Sequence, residues 1–511
     1  MSSHLRRAAL VGQFFFQFIA RVWFKGVNFS RPRYGGKLSI AMRQMGRSHM
    51  NFSRAIVKWR QPARGWPGAG AAILLAVILT GCQGTVQPAE RTVRKQLATV
   101  ASTYRPNDQR PALPVLTTNS TLADLLTYAL LNHPQVASAY YDWVASVNDI
   151  TVARSLPDPQ LTFQMDIADA VTSVMPGLLQ TFPAKGKLKA QAGVAAAESD
   201  ARETAYEAAV LQTAYGVKQS YYQLWYLDET LRVDREMQRL LARLEQIARA
   251  QNASGQVTLQ DVYRAQIEED RLASEIVNLE DSRSALMMQF QGALGLAHEH
   301  AAPPWPVRFA GPSPALSVDE LLATAFARNP QLAAMRADIA RAEAAMALAQ
   351  SAGRPETSAG VMVDAKASPV LLRPLGTVSL PVWQDKLQAE TASAQAGQQA
   401  AAARLAEAQL NLMMTFAEKS YDYRQVTHTL TVLEQQLIPK TQRSLEIARS
   451  AYMDGKTDFF NLMDTERSLL NEQSNLIAAR LQRELVLAEL SLLIAGVPPE
   501  GTSLLPEHHS H

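Results

Sequence analysis

A single cysteine, Cys82, among 511 residues excludes any intrachain disulfide. Acidic residues are missing from the first 81 positions, which carry thirteen Lys and Arg. The overall charge of +3 therefore hides an acidic remainder, with 37 basic against 47 acidic residues from Cys82 onward. That balance excludes a basic, nucleic-acid-binding reading of the mature chain. No apolar run is long enough for a spanning helix; the one ending at Leu79 has about ten residues, against the roughly 20 required. Nor is there a Cys/His pairing, a phosphate-binding glycine loop or a clustered His/Asp/Glu ligand set, so the sequence carries no mark of an enzyme, a cofactor site or a metal centre. Proline is absent from Lys187 to Gln251, which leaves an uninterrupted helical stretch.

What is present is a duplication. Asp124-Leu125-Leu126 followed by Asn132-His133-Pro134-Gln135 returns 196 residues later as Glu320-Leu321-Leu322 followed by Arg328-Asn329-Pro330-Gln331. A strand-like segment ends at Phe182-Pro183 and again at Leu380-Pro381, and a long helical run ends at Gly255 and again at Gly455. This period is far too long for a solenoid. It divides the chain into repeats at 121–302 and 317–496, a Pro-rich linker at 303–316 and a tail at 497–511 ending in His508, His509 and His511. The tail reads as a loose end rather than a metal collector.

The first 81 residues read as a signal region. Arg54, Lys58, Arg60 and Arg64 precede the apolar run Ala71 to Leu79, and Leu79-Thr80-Gly81-Cys82 closes it. The ending resembles a bacterial lipobox, which implies cleavage before Cys82 and its lipidation. Gln83, not Asp, follows, which in lipoproteins implies passage to the outer membrane. The signal fits about 50–81, with a start at Met50, Met42 or Met45 and residues 1–49 a mis-assigned beginning; a long cytoplasmic extension is the alternative. Residues 82–120 are polar and proline-dotted and read as a lipid-anchored arm, a tether or an irregular ordered segment.

Each repeat has the same predicted parts. Thr121 to about Ser155 is helical, with Thr121 and Asp124 as a capping box and a break at Pro134. Leu161 to Ile167 alternates apolar and polar residues, and Leu178 to Phe182 can return antiparallel. Ser358 to Asp364 and Thr377 to Leu380 repeat the hairpin, although Met362 interrupts the polar face and Gln180 falls on the outer one. Then come helices at Lys187–Gln251 and Asp385–Met453, each about 100 Å at 1.5 Å per residue, the second kinked at Pro439. Return helices follow at Leu259–Leu294 and Phe459–Ile494. Val210, Ala214, Val217, Tyr221 and Leu224, then Met237, Leu240, Leu244 and Ile247, step by three and four as in coiled coils. Methionines such as Met413, Met414 and Met453 read as core filler, not copper ligands.

Four amphipathic strands cannot close a barrel, and open edges are not tolerated in lipid. Three copies supply twelve strands, a number at home among outer-membrane barrels. Thr162, Gln164, Asp166 and Asp364 then line a lumen, and Leu161, Phe163, Met165 and Ile167 face lipid.

The duplicated Asn/His-Pro-Gln helix, with the turn Tyr452-x-x-Gly455-Lys456-Thr457-Asp458-Phe459-Phe460-Asn461-Leu462 echoed from Gly255 to Val262, resembles the TolC family of outer-membrane efflux proteins over about residues 121–496. The lipobox resembles the family's lipoprotein branch. The resemblance implies a mainly α fold with a small shared membrane β-barrel of twelve strands in a homotrimer. It implies a passive export duct for drugs, organic compounds or metal ions, working with a periplasmic adaptor and an inner-membrane pump, most simply of the proton-driven RND type. Heavy-metal efflux of the copper or cobalt-zinc-cadmium kind, and type I secretion, are the alternatives. It further implies a gate where the long helices turn back, with Asp261, Tyr452 and Asp464 at family positions and helix-turn glycines at Gly255 and Gly455. Thr457 replaces the family's gating arginine and Asn461 one aspartate of the entrance ring, so the closed state is expected to be held differently, with Lys456 and Asp458 as candidates.

Overall fold

The computed structural model describes residues 86–167, 171–297, 303–305, 318–364 and 366–494, all within one compact unit. Cys82, the signal region, most of the linker and the histidine tail lie outside the described residues.

The arm holds a correction. Instead of an irregular tether, Pro88–Tyr104 forms helix α1. Its Val93, Leu97, Val100 and Tyr104 recur at three- and four-residue steps and pack on Tyr140, Trp143 and Tyr206. Glu90, 1% exposed, sits between Arg94 and Arg154, each at 3.0 Å. Arg94 also donates to the Thr151 hydroxyl at 2.6 Å.

Helix α2, Leu122–Asn132, starts with the expected capping box: the Thr121 hydroxyl accepts from the Asp124 N–H, and the Asp124 carboxylate accepts from the Thr121 N–H at 2.8 Å. Pro134 opens a separate helix, α3 (Pro134–Arg154), so the break expected there is a full boundary. After strands β1 (Gln160–Ile167) and β2 (Val171–Phe182) comes α4, Lys187–Ala253, whose 67 residues make a rod of about 100 Å. Helix α5, Leu259–Ala293, runs back along it. The second repeat follows the same order: α6 (Val318–Arg328), α7 (Pro330–Ala352), β3 (Glu356–Asp364), β4 (Leu371–Ser379), α8 (Gln384–Val432), α9 (Ile438–Met453) and α10 (Phe459–Leu493). A single wide turn, Leu433–Leu437, joins α8 to α9. Pro439 explains it: with no N–H and a bulky ring, proline disrupts the hydrogen-bond ladder one turn before itself.

The strands form one antiparallel sheet in the order β1-β2-β3-β4, so the central β2–β3 pairing joins the two repeats. Helices pack in a matching sequence, α3 on α4, α4 on α7 and α7 on α8. Along α4 the seam begins as expected, with Val210, Ala214, Val217, Tyr221 and Leu224 buried. It then drifts: Leu241 and Ala248 turn inward, while Ile247 is 38% exposed. A repeat of 3.5 laid on a helix of 3.6 residues per turn slips in this way. Among the described residues no helix is long and apolar enough to cross a membrane.

Candidate functional site

Two regions carry the candidate residues, the sheet and the paired helix turns. In the sheet, Leu161, Leu178, Val361 and Pro374 form one cross-strand row, and Thr162, Gly177, Met362 and Arg373 the next. Alternation then puts Leu161, Phe163, Met165 and Ile167 on one face, 58–70% exposed although all are large and apolar. Thr162, Gln164, Asp166 and Asp364 share the other. A further polar row, Thr181, Ser358 and Thr377, is linked by a Thr181–Ser358 hydroxyl contact of 3.0 Å.

Three details differ from the simple pattern. Met362 lies on the polar face but is buried over Gly177, where an added Cβ would come within 2.4 Å of the Met362 Cγ. Gly177 is thus the space into which Met362 folds. Gln180, on the apolar face, turns its amide to the carbonyls of Pro157 at 2.8 Å and Thr181 at 2.9 Å, which removes its donors from that face. Asp364 is buried: it accepts from the backbone N–H groups of Lys366 and Ala367 and pairs with Arg373 at 3.2 Å. It closes the β3–β4 connection instead of standing free on the polar face.

At the far ends of the long helices the two turns are built alike. Gly255 (φ 76°) and Gly455 (φ 68°) adopt left-handed backbone. The N–H of the following residue bonds back to Gln251 in the first turn (2.9 Å) and Ala451 in the second (2.7 Å). An added Cβ would meet nothing at either glycine, so the requirement is conformational, not steric.

The sequence-predicted polar residues divide by role. Asp261 completes a capping box with Thr258, whose hydroxyl donates to it at 2.8 Å, and lies 3.8 Å from Arg264. Asp458 caps α10 by accepting the Asn461 N–H at 2.9 Å. Asn461 in turn donates to the Thr457 hydroxyl at 3.4 Å. Within the protomer Lys456 pairs with Asp454 at 2.9 Å, and Asp458 is engaged by the helix start it caps. Asp464 is exposed on the side of α10.

Tyr452 is 4% exposed and its hydroxyl has no hydrogen-bond partner. Burial, and after it the charge of nearby Asp261, push its phenol above the usual range. Its ring meets Phe459 at 5.7 Å. Around these two pack Leu244 and Ala248 of α4, Val262 and Ala265 of α5, Leu445 of α9 and Leu462 and Leu469 of α10. Both helical hairpins thus share one apolar knot at their tips.

Sequence reasoning missed the ion pairs behind that knot. Glu466, 1% exposed, accepts from Arg449 through Nε at 3.1 Å and Nη2 at 2.7 Å. Arg467 joins α10 to Glu268 of α5 at 2.7 Å. A signal did exist for the first: Glu466 interrupts the apolar stripe Phe459, Leu462, Leu469, and a charge there needs a buried partner.

The family model described as "Outer membrane efflux protein" matches the chain twice, over residues 125–296 and 321–496. Among solved structures, the outer membrane protein VceC of Vibrio cholerae is 18% identical with a TM-score of 0.61, covering 73% of this chain and 96% of that one. A membrane protein of Pseudomonas aeruginosa is 18% identical with a TM-score of 0.66, covering 78% and 98%. The open state of the MtrE outer membrane channel of Neisseria gonorrhoeae is 16% identical with a TM-score of 0.61, covering 76% and 97%. These likenesses show a common fold. No curated protein sequence matches the chain.

Proposed function

The chain belongs to the outer membrane efflux protein family, and from that premise we propose that three copies enclose one continuous passage for small molecules. That it is an outer-membrane efflux duct follows from the family; the trimer, the gate and the anchor are our reading. The observation that carries it is the sheet. Leu161, Phe163, Met165 and Ile167 stand 58–70% exposed on its apolar face, a polar face lies opposite, and among the described residues no further strand lies beside its two edges, β1 and β4. Such a sheet is stable in lipid only when its edges are closed by other copies. Twelve strands, three copies of four, make an even-numbered barrel.

In this reading α4 and α8 continue the passage into the periplasm, and the knot around Tyr452 and Phe459 holds the tips closed. Polar caps at Asp261 and Asp458 keep the turns rigid, and Asp464 and Asn461 line the entrance. The protein carries out no catalysis. An adaptor docked at the helical tips, drawn from a tripartite system with an inner-membrane pump of RND type, shifts the population toward open. Cys82 carries the lipid that fixes the arm to the outer membrane.

Single-channel recording in a planar bilayer tests this. Purified protein is expected to give steps of low closed-state conductance. Tyr452→Ala, which removes the ring from the knot, combined with Asp464→Ala is expected to raise that conductance. Tyr452→Phe keeps the ring and loses only a hydroxyl with no hydrogen-bond partner, so it should conduct as the parent does. No conductance from the parent or the double variant would end the duct reading, and equal conductance in the two would remove these residues from the gate.

A further inference from the structure

Between α5 and α10, with α4 as its floor, lies a groove of about 460 Å³ within a single protomer. We propose that it is a binding site for a small amphiphilic monocation, an aromatic or alkyl amine whose N–H reaches Glu466. The site goes beyond the duct reading: it is complete in one chain and needs no barrel.

The groove has an apolar bed made by Met237, Leu241, Leu272, Met463 and Leu470. Its charges do not balance. Each arginine on its walls is engaged: Arg271 and Arg467 both hold Glu268, at 3.0 and 2.7 Å, and Arg264 reaches Asp261 at 3.8 Å while lying over the Phe460 ring at 5.7 Å. The carboxylates are not all engaged. Glu275 and Asp464 line the groove and form no ion pair among the described residues. Deepest is Glu466, 1% exposed. Arg449, which does not line the groove, holds its Oε1, and its Oε2 has no hydrogen-bond partner.

An orphaned buried carboxylate oxygen is costly unless a donor meets it. Water can meet the charged walls but leaves the apolar bed uncovered, and an apolar surface is best covered by an apolar body. A ligand with an aromatic or aliphatic body, one positive charge and an N–H donor satisfies both demands at once. An anionic ligand could cover the bed but is turned away by charge, since the guanidinium groups are taken and the remaining carboxylates repel it. Burial of Glu466 also holds its carboxyl above the usual range, with Arg449 acting against that; a cation at Oε2 would restore the ionised form.

Ethidium, a planar monocation with two aromatic amines, is the probe. Its fluorescence anisotropy is followed as detergent-purified protein is added. One saturable site per chain is expected. Glu466→Gln, which keeps the shape and removes the charge, should weaken binding tenfold or more. Ile267→Trp at the half-exposed rim should block the groove and abolish binding without touching Glu466. The anionic dye 8-anilinonaphthalene-1-sulfonate should not displace ethidium. Absence of a saturable site, unchanged affinity in Glu466→Gln, or displacement by the sulfonate would each overturn the proposal. If circular dichroism shows Glu466→Gln unfolded, Ile267→Trp decides: full binding there overturns it. Bilayer conductance plays no part in this readout, so a protein that binds ethidium and conducts nothing counts against the duct and not against the groove.

Discussion

At the scale of single residues, a buried charge is costly unless something answers it, and Asp234 is one that is left unanswered. It lies on α4, 3% exposed, with Oδ2 unpartnered. Burial, and then the like charge of Glu275, lift its carboxyl from the ordinary 3.8 to about 6. A carboxyl raised on folding stabilises the native state fully below its unfolded value, and the contribution is lost as pH rises through the folded one. The protein is therefore expected to lose thermal stability between about pH 4 and pH 7, in so far as Asp234 governs it. Asp234→Asn removes the charge and keeps the shape. Its melting temperature should exceed the parent's at pH 8 and match it near pH 4. A lower melting temperature at pH 8 would mean that the ionised carboxylate has a partner in the assembled protein. Glu466 is half answered: two N–H groups of Arg449 converge on its Oε1, while its Oε2 has no hydrogen-bond partner.

At the scale of elements, the wide turn Leu433–Leu437 separates the second repeat from the first. The first repeat spans the corresponding distance with the unbroken α4. Pro439 is the local cause, and Leu433, 4% exposed, anchors the turn, while Arg480 of α10 clamps Glu434 at 2.7 Å. Pro439→Ala restores an N–H at that position. It is expected to raise stability by about 1–3 kcal/mol and to slow amide exchange across residues 433–437. Unchanged exchange would show that Leu433 and the Arg480 clamp, not proline, hold the turn. Elements of this kind were legible wherever the signal was local: Thr121 with Asp124, the Pro134 boundary, and the glycines Gly255 and Gly455. Helix α1 was not legible, because its apolar positions are diluted by Arg91, Arg94 and Lys95 and its partners Tyr140 and Tyr206 are far along the chain. The candidate site divides in the same way. Caps at Asp261 and Asp458 follow from helix-start chemistry, whereas the Glu268–Arg467 pair joins residues 199 apart and no local spacing announces it.

At the scale of the whole molecule, the sheet decides what the helices are for. Two long hairpins alone would make a periplasmic rod; four strands with an uncovered apolar face make a membrane element, and their polar face makes it a passage. That division of faces is testable at neighbouring residues. Phe163 is 70% exposed on the apolar face, and Gln164 follows it on the polar one. Phe163→Arg should destabilise the inserted state by about 2–4 kcal/mol, the penalty for arginine on a lipid-facing barrel position near the midplane. The expected readout is loss of the proposed trimer from outer-membrane extracts. Gln164→Arg adds the same charge one residue away, where water meets it. It should leave trimer yield unchanged and shift the reversal potential of reconstituted channels toward anion preference. Equal tolerance of both substitutions would contradict a lipid-facing role for the apolar face. Loss of the trimer in both would place the polar face against protein. Only the asymmetric outcome fits a wall one strand thick, with lipid on one side and water on the other, which is why neighbouring residues, differing in little but the direction of their side chains, are the sharpest probe of the architecture.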